Sequence, residues 1–404
     1  MSEKNENVPK IRFPGFTEPW EQRKLKEVAN YFNGGSYEKD IVDAGKYELI
    51  TLKSVEMNGS LVSSGRFIEK NVATLRKGTL VMILSEQSPG LLGMTAEIPE
   101  DNRYVLNQRV AEIRPHYGMN SQFLVAAINI NQRYFSKRGA GTKVQNISKS
   151  NVENYEFLCP IKEEQNNIGC FLKEFDNLIT LHQRKLSDTR KLKAGLLQKI
   201  FPKNGASVPE VRFPGFTHAW EQRKLGDVLT EIKRPVKMKD NVEYQLVTVK
   251  RQNEGVVSRG FFKGKNILVK NYFEIKQDDY LISKRQVVHG ANGIVPKELD
   301  GAIVSNEYLI SIGNDNITTS FLTLISRLPQ MYKKFFLSSY GIDVEKLVFD
   351  VKDWKKRFVL LPTIEEQNII SDIFKQLDNL ITLHQRKLDH LEQMKKSLLQ
   401  QMFV

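Results

Sequence analysis

Pro160 to Leu186 reads PIKEEQNNIGCFLKEFDNLITLHQRKL, and Pro362 to Leu388 reads PTIEEQNIISDIFKQLDNLITLHQRKL. The last eleven residues, DNLITLHQRKL, are identical. In the first copy apolar or semi-polar residues recur at alternating steps of four and three: Ile168, Leu172, Phe175, Ile179, His182, Leu186, then less cleanly to Leu196 and Ile200. The second copy gives Ile370, Phe374, Leu377, Ile381, His384, Leu388 and Leu391, then Leu398 and Met402. A spacing averaging about 3.5 marks the seam of a coiled coil. Pro160 and Pro362 stand just ahead of the helices, where a missing N–H does no damage. Thr363 with Glu366 fits a capping box, for which Ile161 leaves the first copy no equivalent. Glu163, Glu164, Glu365 and Glu366 suit the positive end of the helix dipole. Each helix of about 40 residues spans roughly 60 Å.

Outward from these segments the repetition continues. Val8 to Leu25 reads VPKIRFPGFTEPWEQRKL and Val208 to Leu225 reads VPEVRFPGFTHAWEQRKL, with four differences. The offset is 200 residues here and 202 in the helical pair. Each half therefore carries a strap, a long divergent middle and a helix, which is a duplication rather than a solenoid. The middles keep a faint common skeleton: YELITLKSV (Tyr47 to Val55) matches YQLVTVKRQ (Tyr244 to Gln252), and SSGRFIEKN (Ser63 to Asn71) resembles SRGFFKGKN (Ser258 to Asn266). Strand-like alternation at Tyr47, Leu49 and Thr51, and the apolar run Thr79 to Leu84, are punctuated by Gly, Pro and Asn. Helical periodicity covers Ser121 to Lys137 and Ser320 to Leu337. The expected architecture is α+β: two α+β domains separated by a pair of long antiparallel coiled-coil helices, with an internal pseudo-twofold repeat. Its boundaries fall at 1–159 (strap and first domain), 160–203 (central helix), 204–361 (second strap and domain) and 362–404 (C-terminal helix).

Composition narrows the partners. The chain has 404 residues, 40% of them hydrophobic, enough for two cores. Sixty Lys and Arg against 47 Asp and Glu give a formal charge of +13. That sign suits a polyanion, nucleic acid first and an acidic membrane surface second. The N-terminal MSEKNENVPK lacks the apolar core of a secretory signal, and no run of about 18 apolar residues exists to span a membrane. The two cysteines, Cys159 and Cys170, fit no zinc spacing and read as free, packed thiols of a cytoplasmic protein. Gly139 to Lys143 (GAGTK) lacks the spacing of a phosphate loop, no Pro-Pro pair marks an amino-methyltransferase motif, and the six histidines form no HExxH. The expectation is no catalytic residue, no metal site and no cofactor bound by this chain.

The paired motifs RFPGFT…WEQRKL, P-x-x-EEQ and DNLITLHQRKL, each present twice, resemble those of the specificity subunits of type I restriction–modification enzymes. The resemblance covers nearly the whole chain in organisation. It implies two target-recognition domains, each reading one half of a split site in double-stranded DNA, and paired helices that set the unread gap. It also implies docking of two modification (methyltransferase) subunits, which use S-adenosylmethionine to methylate adenine N6. Restriction subunits with ATP- and Mg-dependent translocation and cleavage join where they are present. Two domains about one helical turn of DNA apart, roughly 34 Å, can address two major-groove segments. Because the middles diverge, the two half-sites are expected to differ.

Base edges are read by Arg, Lys, Asn and Gln, with basic and hydroxyl groups on phosphates. In the first middle these requirements select Gln87 and Ser88 before a glycine turn, and Lys137, Arg138, Lys143 and Asn146. In the second they select Lys284, Arg285, Gln286 and His289, and the pair Lys333 and Lys334. Solvated loop residues are the plain alternative for each. Glu163, Glu164, Glu365 and Glu366 either face the modification subunit or simply cap the dipole. His182 and His384 are either a register-setting or titrating pair or, more plainly, partly buried seam residues hydrogen-bonded to a neighbour, and Trp20 and Trp220 read as anchors of the straps rather than platforms for bases. Two other functions stay open: a coiled-coil scaffold for acidic proteins, and a stand-alone nuclease or methyltransferase. Steep salt dependence with duplex DNA separates the first from the DNA reading, and activity of the purified chain separates the second.

Overall fold

The computed structural model describes residues 7–86, 89–203, 205–269, 271–343 and 347–403. The chain divides into two compact units, Met1–Lys185 with His384–Val404, and Leu186–Leu383. The two repeated helices, Lys162–Lys199 and Ile364–Met402, are each divided between the units, so each unit owns one half of each. Among the described residues no helix is long and apolar enough to cross a membrane.

In the first unit a four-stranded antiparallel sheet runs in the order Ala29–Asn33, Val110–Pro115, Leu80–Ile83, Thr95–Glu97. Leu80–Ile83 explains its own uninterrupted apolar run. Leu80 and Met82 enter one core with Phe123 and Phe135, whereas Val81 and Ile83 enter another with Ile50 and Tyr104. Successive side chains of a strand point to opposite faces, so a strand covered on both sides must be apolar throughout. A three-stranded sheet (Phe67–Ile68, Tyr47–Ile50, Tyr104–Leu106) closes the second core. The expected helix over Ser121 to Lys137 is two helices, Ser121–Asn129 and Gln132–Ser136, broken at Asn131.

The second unit repeats this plan. Its central strand Tyr280–Ser283 lies between Tyr308–Gly313 and Asn292–Ile294, with Leu229–Glu231 at the edge. The corresponding helix is again double, Thr319–Ile325 and Pro329–Leu337, where Pro329 starts the second piece and cannot continue the first. The companion sheet is larger: Gly255–Lys263, Glu243–Lys250, Ile303–Ser305 and Tyr272–Glu274.

Within each unit the two helix halves pack antiparallel, and the seam read from the spacing is the buried stripe: Ile168, Leu172, Ile179, Leu186, Ile370, Phe374, Leu377, Leu388 and Met402 are all buried. Ion pairs flank the stripe at Asp176–Lys395 in the first unit and Lys193–Asp378 in the second. His182 and His384 meet across it in the first unit with their Nδ1 atoms 3.1 Å apart. Each imidazole is thus the other's partner, one donating and one accepting. Burial and the neighbouring charges of His384, Lys387 and Lys185 hold His182 below its ordinary value. Cys159 is buried and burial pushes its thiol up to about 11, but Cys170 is exposed on the helix and is not packed as expected.

Candidate nucleic-acid interface

The duplicated motifs turn out to be two copies of one lock. In the first unit Arg12 of RFPGF donates from Nε and Nη2 to the two carboxylate oxygens of Glu164, at 2.7 and 2.8 Å, and Trp20 Nε1 donates to the same carboxylate at 3.2 Å. In the second unit Arg212 grips Glu366 at 2.8 and 2.7 Å. The strap also reaches the tail of the opposite helix: Ile11 N–H donates to the Gln401 carbonyl, and Val211 N–H to that of Lys199, each at 3.0 Å. Trp20 packs edge-on to Phe403 and Trp220 to Phe201. Both tryptophans are buried, as strap anchors require, and neither is placed to stack on a base.

This geometry corrects two expectations. Glu164 and Glu366 are buried, with their carboxylates engaged inside the unit, so they have no face to offer a partner subunit. Glu163 and Glu365 are exposed and keep that possibility. The capping box is only half formed: Thr363 Oγ1 accepts from Glu366 N–H at 3.4 Å, but the Glu366 carboxylate turns to Arg212 instead of back to Thr363.

The next residue ties helix to middle. Gln165 accepts from the backbone N–H of Asn120 and donates to the Pro160 carbonyl; Gln367 accepts from the N–H of Thr318 and donates to the carbonyls of Asn316 and Pro362. Asn120 and Thr318 are the caps of the first helix in each pair, so the long helix fixes where that pair begins.

On this frame the candidate DNA-contacting loops of the first unit come together. Gln145–Asn146 pairs antiparallel with Ser85–Glu86, and Ala140 and Asn146 exchange backbone hydrogen bonds at 2.9 Å. Ser85 Oγ is hydrogen-bonded to the Asn146 side chain. Two loops some sixty positions apart in sequence thus form one surface. Lys137, Arg138, Lys143 and Asn146 are exposed on it, with Arg138 lying 3.7 Å from the Tyr134 ring centre. Gln87 and Ser88 lie outside the described residues, but the turn beyond them is held. The buried Glu86 carboxylate accepts from the N–H groups of Gly90, Leu91 and Leu92 at 3.0, 2.7 and 2.8 Å.

In the second unit Ser339–Tyr340 pairs with Val348–Phe349, and Phe349 N–H donates to the Lys284 carbonyl at 3.0 Å. Lys284 Nζ is turned onto the Asn306 carbonyl, and Arg285 forms an exposed pair with Glu307 at 3.1 Å. Gln286 precedes the short turn Val287–His289 and His289 ends it, both half-buried rather than projecting. Lys333 is exposed. Lys334 is not at the loop surface: it lines a cavity with Phe201, Trp220 and Met331 beneath the strap, and burial, with Arg357 nearby, lowers its pKa. Among the described residues no group of three or more His, Cys, Asp or Glu side chains is placed to hold a metal ion.

A family profile described as the type I restriction modification DNA specificity domain matches the chain twice, over residues 17–189 and 218–393. The MjaVIII type I restriction enzyme specificity subunit of Methanocaldococcus jannaschii is 23% identical over 296 residues, covering 70% of this chain and 69% of that one. The putative MjaX specificity subunit of the same organism is 24% identical over 430 residues, covering 98% and 95%. The crystal structure of a type I restriction-modification system S subunit from M. genitalium superposes with a TM-score of 0.63 at 16% identity, over 98% of this chain and 99% of that one, and so shares the fold. With the two profile matches spanning most of both units, the chain belongs to the type I restriction-modification DNA specificity family.

Proposed function

We propose that the chain reads a bipartite, asymmetric site in duplex DNA, one half with each unit, and delivers two modification subunits to adenines within it. The observation that carries this reading is a pair of units with one topology and one strap-and-helix lock but different loops and strand lengths. Identical readers impose a palindrome; two unlike readers on one chain specify two unlike half-sites. The long helices, shared by both units, set the length of the unread gap. Methylation, with S-adenosylmethionine, and any ATP- and Mg-dependent translocation and cleavage are the work of partner subunits. Glu163 and Glu365, exposed at the helix starts, are the acidic contacts offered to the modification subunits.

The test is to map methylated adenines in cells that co-express the chain with its modification partner, then to replace the middle between Lys26 and Tyr155 by a second copy of that between Gly226 and Arg357. The expected wild-type map is two short, different motifs at fixed spacing, and the chain with two copies of the second middle should write a palindrome of the second unit's half-site. A single contiguous motif, or a map indifferent to the replacement, overturns the proposal.

A further inference from the structure

Part of the chain's positive charge is gathered in one stretch of the second unit. Between Ile232 and Asn266 the second unit carries nine Lys and Arg against three Asp and Glu; the matching stretch of the first unit, Gly34 to Asn71, carries five against six. A segment of 35 residues thus holds nearly half of the formal +13. The two units also differ in structure there. Glu243–Lys250 and Gly255–Lys263 form a long antiparallel ribbon where the first unit has only Tyr47–Ile50 and Phe67–Ile68, and Gly255–Lys263 is the edge of its sheet.

The cations are gathered at the open end of the ribbon. Lys263 stands opposite Glu243, Lys265 N–H donates to the Asp240 carbonyl, and Lys239 N–H donates to the Tyr244 hydroxyl. Lys237 is two residues before Lys239. Arg259 is the extra residue of a bulge: Ser258 pairs with Val247 and Gly260 with Leu246, leaving Arg259 with no residue opposite. Bulges re-aim side chains. All five cations are exposed, and among the described residues none forms an ion pair. Between Arg259 and Lys263 stands Phe261, 66% exposed, opposite Gln245. Protection of a free edge explains lysines and a bulge, but not a large apolar ring left in water among them.

We infer that this ribbon is a phosphate grip: Lys237, Lys239, Arg259, Lys263 and Lys265 hold the backbone of duplex DNA beside the half-site read by the second unit, with Phe261 packed against the sugar edge. The two units then hold DNA unequally, most of the sequence-independent affinity coming from the second. This rests on the proposed DNA reading and deepens it. Phosphate contacts fix position and carry no base information, so the grip governs affinity and its salt dependence but not the target.

The test uses the full chain co-expressed with its modification partner, measuring affinity for duplex carrying the mapped target from 0.05 to 0.3 M salt. Each neutralised phosphate contributes about −0.9 to the slope of log K against log salt. R259Q/K263Q/K265Q should therefore flatten the slope by about 2 to 3, while K39Q/K46Q/K70Q in the first unit changes it by less than about 1. F261A should weaken binding at every salt concentration without altering the slope. The methylated sites should be unchanged in all three, which also shows the units intact. Wild-type binding to target duplex with a slope unmoved by R259Q/K263Q/K265Q leaves the ribbon as edge protection and overturns the grip alone. No binding by wild type to any duplex overturns the DNA reading itself. An altered methylation map would make the ribbon a base reader and refute the phosphate assignment.

Discussion

Replacing Glu164 by Gln tests whether the lock holds the strap. The carboxylate is buried and accepts three hydrogen bonds, two from a guanidinium whose side chain is only 12% exposed. Neutralising it strands a buried cation, a change that costs about 3–5 kcal/mol. A control lies within the same strap, where Arg23 and Glu21 pair at 2.5 Å but are 48% and 69% exposed; such surface pairs contribute about 0.2–1 kcal/mol. Amide exchange followed by mass spectrometry reads each unit separately, because local opening free energies differ across a structure. For E164Q, exchange over the first strap and the start of the first long helix should accelerate by about two to four powers of ten, while peptides of the second unit stay unchanged. E21Q should accelerate its neighbourhood less than about tenfold. R12M/E164L should recover part of the loss, since an apolar pair of similar size replaces both charges and only the Trp20 Nε1–H is left without its acceptor. If E164Q behaves like E21Q, or if the double variant is as loose as the single one, the ion pair is not what secures the strap.

Three further outcomes are expected. Protonating His182 sets a positive ring beside the His384 imidazole, Lys185 and Lys387. The folded-state pKa of His182 lies below its ordinary 6.5, so the unfolded chain binds more protons as pH falls through that value, and the stability of the helix pair falls with it; melts between pH 5 and 7.5 should show this slope and H182N/H384N should lose it. Arg285→Ala removes only an exposed pair with Glu307, so the melting temperature should hold while methylation at one half-site relaxes and the other is spared; an unchanged target set refutes its role. Four residues inserted after Leu186 keep the apolar seam nearly in phase, as a stutter does, and should lengthen the unread gap without altering either half-site in the methylation map.

What could be read from the sequence follows from what repeats. The seam and the strap anchors each depend on local spacing or on residues present twice, whereas the break before Pro329 lay inside a stretch whose apolar period ran on from Ser320 to Leu337. The direction of Glu164 and Glu366 is also legible: each stands four residues before a seam position, Ile168 or Ile370, and so on the buried face of the helix, where a carboxylate needs a cation. The strand lengths were not legible. YELITLKSV and YQLVTVKRQ look alike, but Gln252 and Asn253 take φ of 58° and 57° and close a tight turn that lets the second ribbon zip for eight residues. In the first unit the link from Thr51 to Arg66 folds on itself, with Glu56 N–H donating to the Ser60 carbonyl, and pairing stops after two residues. Lys334 was misplaced because a helix of nine residues has a buried face, and adjacent lysines fall on different sides of it. The charge of the ribbon was in plain view, but a net charge taken over the whole chain averages it away.

The lock also explains why divergence is confined to the middles. Of the repeated EEQ, the first glutamate faces solvent, the second holds the strap, and the glutamine holds the middle. What the glutamine grips is backbone: the N–H of Asn120 in one unit and of Thr318 in the other, different side chains in the same cap position. The strap joins in the same way, since Leu25 N–H donates to the Tyr155 carbonyl and Leu225 N–H to that of Arg357, each at 2.9 Å. Backbone groups are the same whatever side chains they carry, so a middle needs only the right chain path at its two ends to be held in place. Side chains elsewhere in the middle are then free to answer to the surface they read, and a new pair of loops can be carried without rebuilding the frame that positions them.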